Sequence, residues 1–162
     1  MEEQPEKLSP EQTAILKKLR WIAGGCVALV AAAPFVAMPL MGSEVVKASM
    51  NKGATSVQSS ANVAAIAVFI AAVVVGWVCR MQAYKAHWQA DAVTPAGYAK
   101  GITRFVLALV LGVWGCAAIG LWAGYPPALL LAAPAALLLL FLGFPDGKPM
   151  LPLKPQLGER KP

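Results

Sequence analysis

Charge is missing from most of this chain's length. Three windows, 21–43, 53–79 and 105–145, contain no Asp, Glu, Lys or Arg; they run for 23, 27 and 41 residues and together hold 91 of the 162 positions. The fourteen basic and eight acidic residues all fall in the remainder. Only 14% of the chain is charged and 58% is hydrophobic, against about 25% and 45–50% in a soluble domain. This alternation of long apolar windows with charged joints excludes an ordinary globular enzyme, a disordered chain and a disulfide scaffold.

The other scarcities narrow the chemistry. The one histidine, His87, does not supply the paired ligands of a bundle haem or the three or four ligands of a zinc site, so no metal and no cofactor is expected. A surface position is expected for it. The three cysteines, Cys26, Cys79 and Cys116, are odd in number, lack CxxC spacing and sit in apolar stretches, so they are expected to act as small apolar side chains. No GxxxxGK phosphate loop occurs, and a single histidine leaves no Ser–His–Asp or Cys–His arrangement. No basic run is interleaved with aromatics, so no nucleic-acid partner is expected. Coupled transporters place charged or histidine side chains at mid-membrane, and the apolar windows have no Asp, Glu, Lys, Arg or His; Asn62 lies near a window's polar end and is expected at the interface.

What is present is length enough to cross a bilayer. A hydrocarbon core of about 30 Å needs about 20 apolar helical residues. The fold class expected is therefore all-α, a polytopic integral membrane protein with four transmembrane helices in a bundle. The spans are 21–42, 61–79, 105–123 and 128–144, making a transmembrane domain over 21–144. The third window divides at Gly124-Tyr125-Pro126-Pro127, where two prolines end one helix and open the next. Residues 1–20 form an N-terminal arm and 145–162 a proline-rich tail without a fold of its own. The twenty-residue leader with its four glutamates and the long first apolar stretch point to a retained span rather than a cleaved signal peptide.

Twelve basic residues lie on one side of these spans, among them Lys17, Arg20, Arg80, Lys100 and Lys148. The other side has Lys47 and Lys52. The positive-inside rule then places both termini in the cytoplasm. Trp21, Trp77, Trp122 and Tyr125 fall near span ends, as interfacial anchors do. Ser9-Pro10-Glu11-Gln12 reads as a capping box with proline at the first helical position, and Thr94-Pro95 as a second helix start. The second and third helices should form a hairpin extending beyond the membrane. Pro34 and Pro39 should kink the far end of the first span. Residues 43–60 read as a polar loop.

The most informative pattern is a four-residue repeat of small side chains. Ala108, Gly112, Cys116, Gly120 and Gly124 make a smooth ridge on span three; Ala128, Ala132 and Ala136 continue the theme on span four, and Gly24, Ala28 and Ala32 on span one. Small residues at this spacing let helix backbones approach closely where the hydrophobic effect gives no drive. Two uses are open: packing inside the bundle, or docking of another membrane subunit. The chain is accordingly expected to be a non-catalytic subunit of a larger inner-membrane assembly of respiratory, secretion or transport type, with other membrane subunits and lipid as partners. The alternative is a small homo-oligomeric pore or carrier for neutral or hydrophobic solutes. A membrane enzyme or assembly factor has the least support. The Ala- and Gly-rich spans suggest a bacterial plasma membrane.

Overall fold

A computed structural model describes residues 8–51, 56–89, 91–124 and 126–151, with the side chains of 49–51 and 127–128 outside that description. Lys7, Lys52, Tyr125, Lys154, Arg160 and Lys161, with residues 1–7 of the arm and 152–162 of the tail, lie outside it as well. The described chain is almost wholly helical. Helix α1 spans Pro10–Met41, α2 Ser43–Asn51, α3 Ser56–Ala86, α4 Pro95–Ala123 and α5 Pro127–Leu142. A two-residue antiparallel ladder, β1 (Trp88–Gln89) with β2 (Ala92–Val93), joins α3 to α4, and a 3-10 turn covers Lys148–Met150.

Helix starts follow the capping chemistry of the sequence. The Ser9 hydroxyl accepts from Gln12 N at 3.2 Å while the Gln12 side chain accepts from Ser9 N at 2.8 Å. Two of the N–H groups left over at a helix start are thereby satisfied. Thr94 caps α4 through its hydroxyl, with Pro95 next. At the other end, Gly124 adopts a left-handed conformation and closes α4 on the carbonyls of Gly120 and Leu121. Helix α1 continues through Pro34 and Pro39 to Met41, and α5 through Pro134.

Three helices, α1, α3 and α4, are long and apolar enough to cross a membrane; α5 is shorter, at 16 residues or roughly 24 Å. The fourth apolar segment is therefore helical only to Leu142 and is capped by Gly143, two residues before the expected end of the span. Residues 43–60 are not a simple loop. Ser43–Asn51 is a helix, and α3 already includes the polar run from Ser56, where the Ser60 hydroxyl returns to the Ser56 carbonyl.

Helix α4 is the centre of the bundle. It packs along α3, α1 and α5, and α5 also touches α1. Ile102, Phe105, Leu109, Val113 and Ala117 of α4 are buried with Val30, Ala33 and Ala37 of α1 and with Leu129, Ala133 and Ala136 of α5. Helix α3 meets the bundle through one narrow face and leaves Val63, Ile70, Val74 and Val75 exposed. Large apolar side chains also stand bare on α1 (Trp21, Phe35, Leu40) and α5 (Phe141, Leu142). A surface of that kind suits hydrocarbon better than water.

The described start of the tail, 145–151, folds back onto the bundle. Pro145, Gly147 and Met150 are buried. Arg20 Nε donates to Pro145 O at 3.1 Å, Gln12 Nε2 to Met150 O at 3.0 Å, and Gly147 N to the Tyr98 hydroxyl at 3.2 Å. The start of α1, the α3–α4 hairpin and the end of α5 thus meet at one end of the bundle, while α2 lies at the other, with Val45 against Gly124.

Candidate functional site

Two regions collect the residues that bear on function: the faces of small side chains along the helices, and the charged end where the chain's two described termini meet.

On α4 the ridge turns toward α3. A Cβ placed on Gly112 would lie 2.7 Å from the Ala72 Cβ, and one on Gly76 would lie 2.9 Å from the Ala108 Cβ. Both distances are shorter than carbon atoms tolerate, so each glycine lets the facing helix come closer than alanine would. Cys116 is buried, and its thiol donates to the Ala65 carbonyl at 3.2 Å. Gly120 is buried and Ala108 half-buried. Gly124 has a different use: its φ of +60° ends α4, and a Cβ there would lie 3.0 Å from Val45 of α2. On α3, the residues that receive the ridge were not singled out by the sequence. They are Ala65, Ala72 and Gly76, and the pairs Ala61–Ala65 and Ala72–Gly76 carry the same four-residue spacing that could have identified them.

On α5, Ala132 packs with Ala65 and Cys116, and Ala136 is completely buried in the main core. The Ala128 side chain is outside the described residues. Helix α1 differs. It turns Leu16, Leu19, Ala23, Val30, Ala33 and Ala37 inward. Gly24 and Ala28 face outward, Ala32 is half-buried, and a Cβ on either Gly24 or Gly25 would meet nothing within 4 Å. The structure therefore brings the stripes of α4 and α5 into contact with neighbours and leaves Gly24 and Ala28 without one among the described residues.

Apolar clefts follow the α3 flank. One of about 490 Å³ is lined by Ser56, Ser60, Ala64, Ile119 and the exposed Trp122, and a second of about 270 Å³ by Phe69, Cys116, Leu131 and Ala135. Among the described residues, neither is lined by a charged side chain. Asn62, expected at the interface, is half-buried, and its side-chain oxygen is buried without a hydrogen-bond partner among the described residues.

The charged end is built around aromatic rings. Tyr84 and Tyr98 stack at 5.9 Å with a 17° interplanar angle, joining the end of α3 to the start of α4. Gly101 makes room for this: a Cβ there would lie 2.5 Å from the Tyr84 ring. Arg80 Nε donates to the Tyr84 hydroxyl at 3.1 Å, and its guanidinium carbon is 5.4–5.6 Å from the centroids of Tyr84, Trp77 and Phe105. His87 is half-buried rather than on the surface. Its Nδ1 lies 3.0 Å from the Ala83 carbonyl, its own carbonyl accepts from Thr94 N, and its side chain occupies the place where Gly97 lacks one. That geometry makes His87 part of the hairpin's joint. Among the described residues, no three His, Cys, Asp or Glu side chains converge as a metal site would require.

The sequence matches no protein-family model, no curated protein and no solved structure.

Proposed function

We propose that this chain is a non-catalytic integral membrane subunit that joins a larger inner-membrane complex through an unpartnered helix face. In this reading the apolar segments cross a bacterial plasma membrane four times, and both termini are cytoplasmic. The meeting of the described chain ends at one end of the bundle supports an even number of crossings. The bias of basic residues toward that end supports a cytoplasmic assignment.

The observation that carries the reading is the contrast between two small-residue stripes. The α4 ridge is already occupied by α3, whereas Gly24, Gly25 and Ala28 of α1 face outward between the exposed side chains of Trp21 and Leu29. A glycine in the interior of an exposed helix costs about 0.5–1 kcal/mol relative to alanine. Two adjacent ones with open space beside them gain nothing from the described residues of this chain. Close approach of another helix would give them a use.

The test is extraction of the native protein in mild detergent, followed by sizing and identification of co-purifying chains by mass spectrometry. The proposal expects a heteromeric assembly. A discrete homo-oligomer would favour the pore or carrier reading, with any passage lying between copies, because Leu109 and Val113 fill the centre of the single bundle. A monomer without partners would contradict both.

A further inference from the structure

The charged end holds one cation whose surroundings are aromatic rather than acidic. Arg80 is half-buried and follows directly after the last residue of the uncharged window 53–79. Its Nε is committed to the Tyr84 hydroxyl, and three rings surround the guanidinium at 5.4–5.6 Å. Among the described residues the ion pairs are Lys47–Glu44 and Lys148–Asp146, and neither includes Arg80. Asp146, the acidic group on the adjoining tail segment, is engaged by the backbone N–H and ammonium of Lys148. The terminal nitrogens of Arg80 make no hydrogen bond to a described residue. A guanidinium has five N–H donors, so four are held in a fixed plane without an acceptor among the described residues.

We propose that Arg80 is a binding site for a phosphate-bearing anion, with a negatively charged phospholipid headgroup as the source lying at this depth. Three features favour phosphate. The hydroxyl of Tyr84 and the ring faces fix the orientation of the fork, which matches two phosphate oxygens bidentately. Trp77, half exposed one turn earlier on α3, stands where indole rings anchor at headgroup level. Anionic headgroups collect in basic recesses between transmembrane helices. The site rests on membrane embedding but not on the subunit reading above, and its failure would leave any partner found by extraction in place.

The experiment is lipid titration of the full chain in a neutral detergent, with bound lipid counted by native mass spectrometry. Phosphatidylglycerol is expected to bind saturably. Arg80→Gln is expected to weaken that binding about tenfold, as loss of a charge-assisted bidentate contact does. Arg80→Lys and Tyr84→Phe should each weaken it by less, and Lys100→Gln, an exposed charge on α4, by no more than about twofold. Should Arg80→Gln fail to fold, Arg80→Lys and Tyr84→Phe decide the matter. Competition by millimolar inorganic phosphate would support the site with a soluble anion as its source; absence of competition would support the lipid. Equal affinity of wild type and all Arg80 and Tyr84 variants, or equal binding of phosphatidylcholine, would overturn the proposal.

Discussion

The hydroxyl of Tyr98 accepts a hydrogen bond from the backbone N–H of Gly147, 3.2 Å away and 49 residues along the chain. Through this bond the start of α4 holds the segment that follows α5. Tyr98 is 1% exposed, so its hydroxyl has no water to turn to. Gly147 has a φ of +81°, and a Cβ there would lie 3.1 Å from Leu8 and 3.3 Å from Leu16 of the N-terminal region. Three pieces of the chain are closed on one another at this point.

Tyr98→Phe keeps the ring but leaves the buried Gly147 N–H without its acceptor, which costs about 1–3 kcal/mol. Gly147→Ala adds backbone strain at positive φ together with crowding against Leu8 and Leu16. Both variants should lower the thermal unfolding midpoint in detergent, and hydrogen exchange should rise first over 145–150. Unchanged exchange there would show that the bond carries nothing.

The α3–α4 contact makes a sharper contrast. Gly112→Ala places a methyl 2.7 Å from Ala72 and should cost about 1–3 kcal/mol through overpacking. Gly24→Ala has open space and should be neutral or stabilising by up to about 1 kcal/mol, from improved helix propensity. Unfolding of the two purified variants in the same detergent checks the ordering. Equal stabilities would mean that the helices do not meet at Gly112.

Removing residues 145–162 should loosen the start of α1 as well as the tail. Gln12 would lose Met150 O, Arg20 would lose Pro145 O, and Leu16 would lose its cover. Limited proteolysis should then cut within the first two turns of α1 in the shortened chain before it cuts the intact one. The same cutting pattern in both would contradict the clasp.

Four crossings require that Ser43 and Lys85 lie on opposite sides of the membrane. Ser43→Cys and Lys85→Cys, each introduced singly, should react with an impermeant maleimide from opposite faces of sealed vesicles. Cys116, buried and hydrogen-bonded to Ala65 O, should stay unlabelled from either face. Labelling of both introduced cysteines from the same side would require a different topology.

Local chemistry made much of this architecture legible in advance. Ser9 with Gln12, Thr94 with Pro95, and Gly124 before paired prolines are helix boundaries written within four residues, and each is found in the fold. Helix α2 was not legible, because its Ser-, Lys- and Asn-containing composition resembles a loop. Its reasons to fold lie elsewhere: Val46 packs on the main core, and Val45 lies beneath Gly124. The fold of 145–150 was equally hidden, since its hydrogen bonds reach Gln12, Arg20 and Tyr98 across more than forty residues. The α1 stripe shows a different limit. Gly24, Ala28 and Ala32 state that a backbone can come close on that face, but not which neighbour comes; the inward face is set by Leu16, Leu19, Val30 and Ala37.

The most direct test of the proposed subunit role compares wild type with Gly24→Leu and Ala28→Leu, extracted in mild detergent at matched abundance. The open space around Gly24 and the exposure of Ala28 mean that both substitutions should leave the bundle folded, as judged by an unchanged unfolding midpoint. The account predicts that the variants lose the heteromeric assembly seen with wild type and run as the free chain. Assemblies of the same size and composition in all three proteins would contradict it.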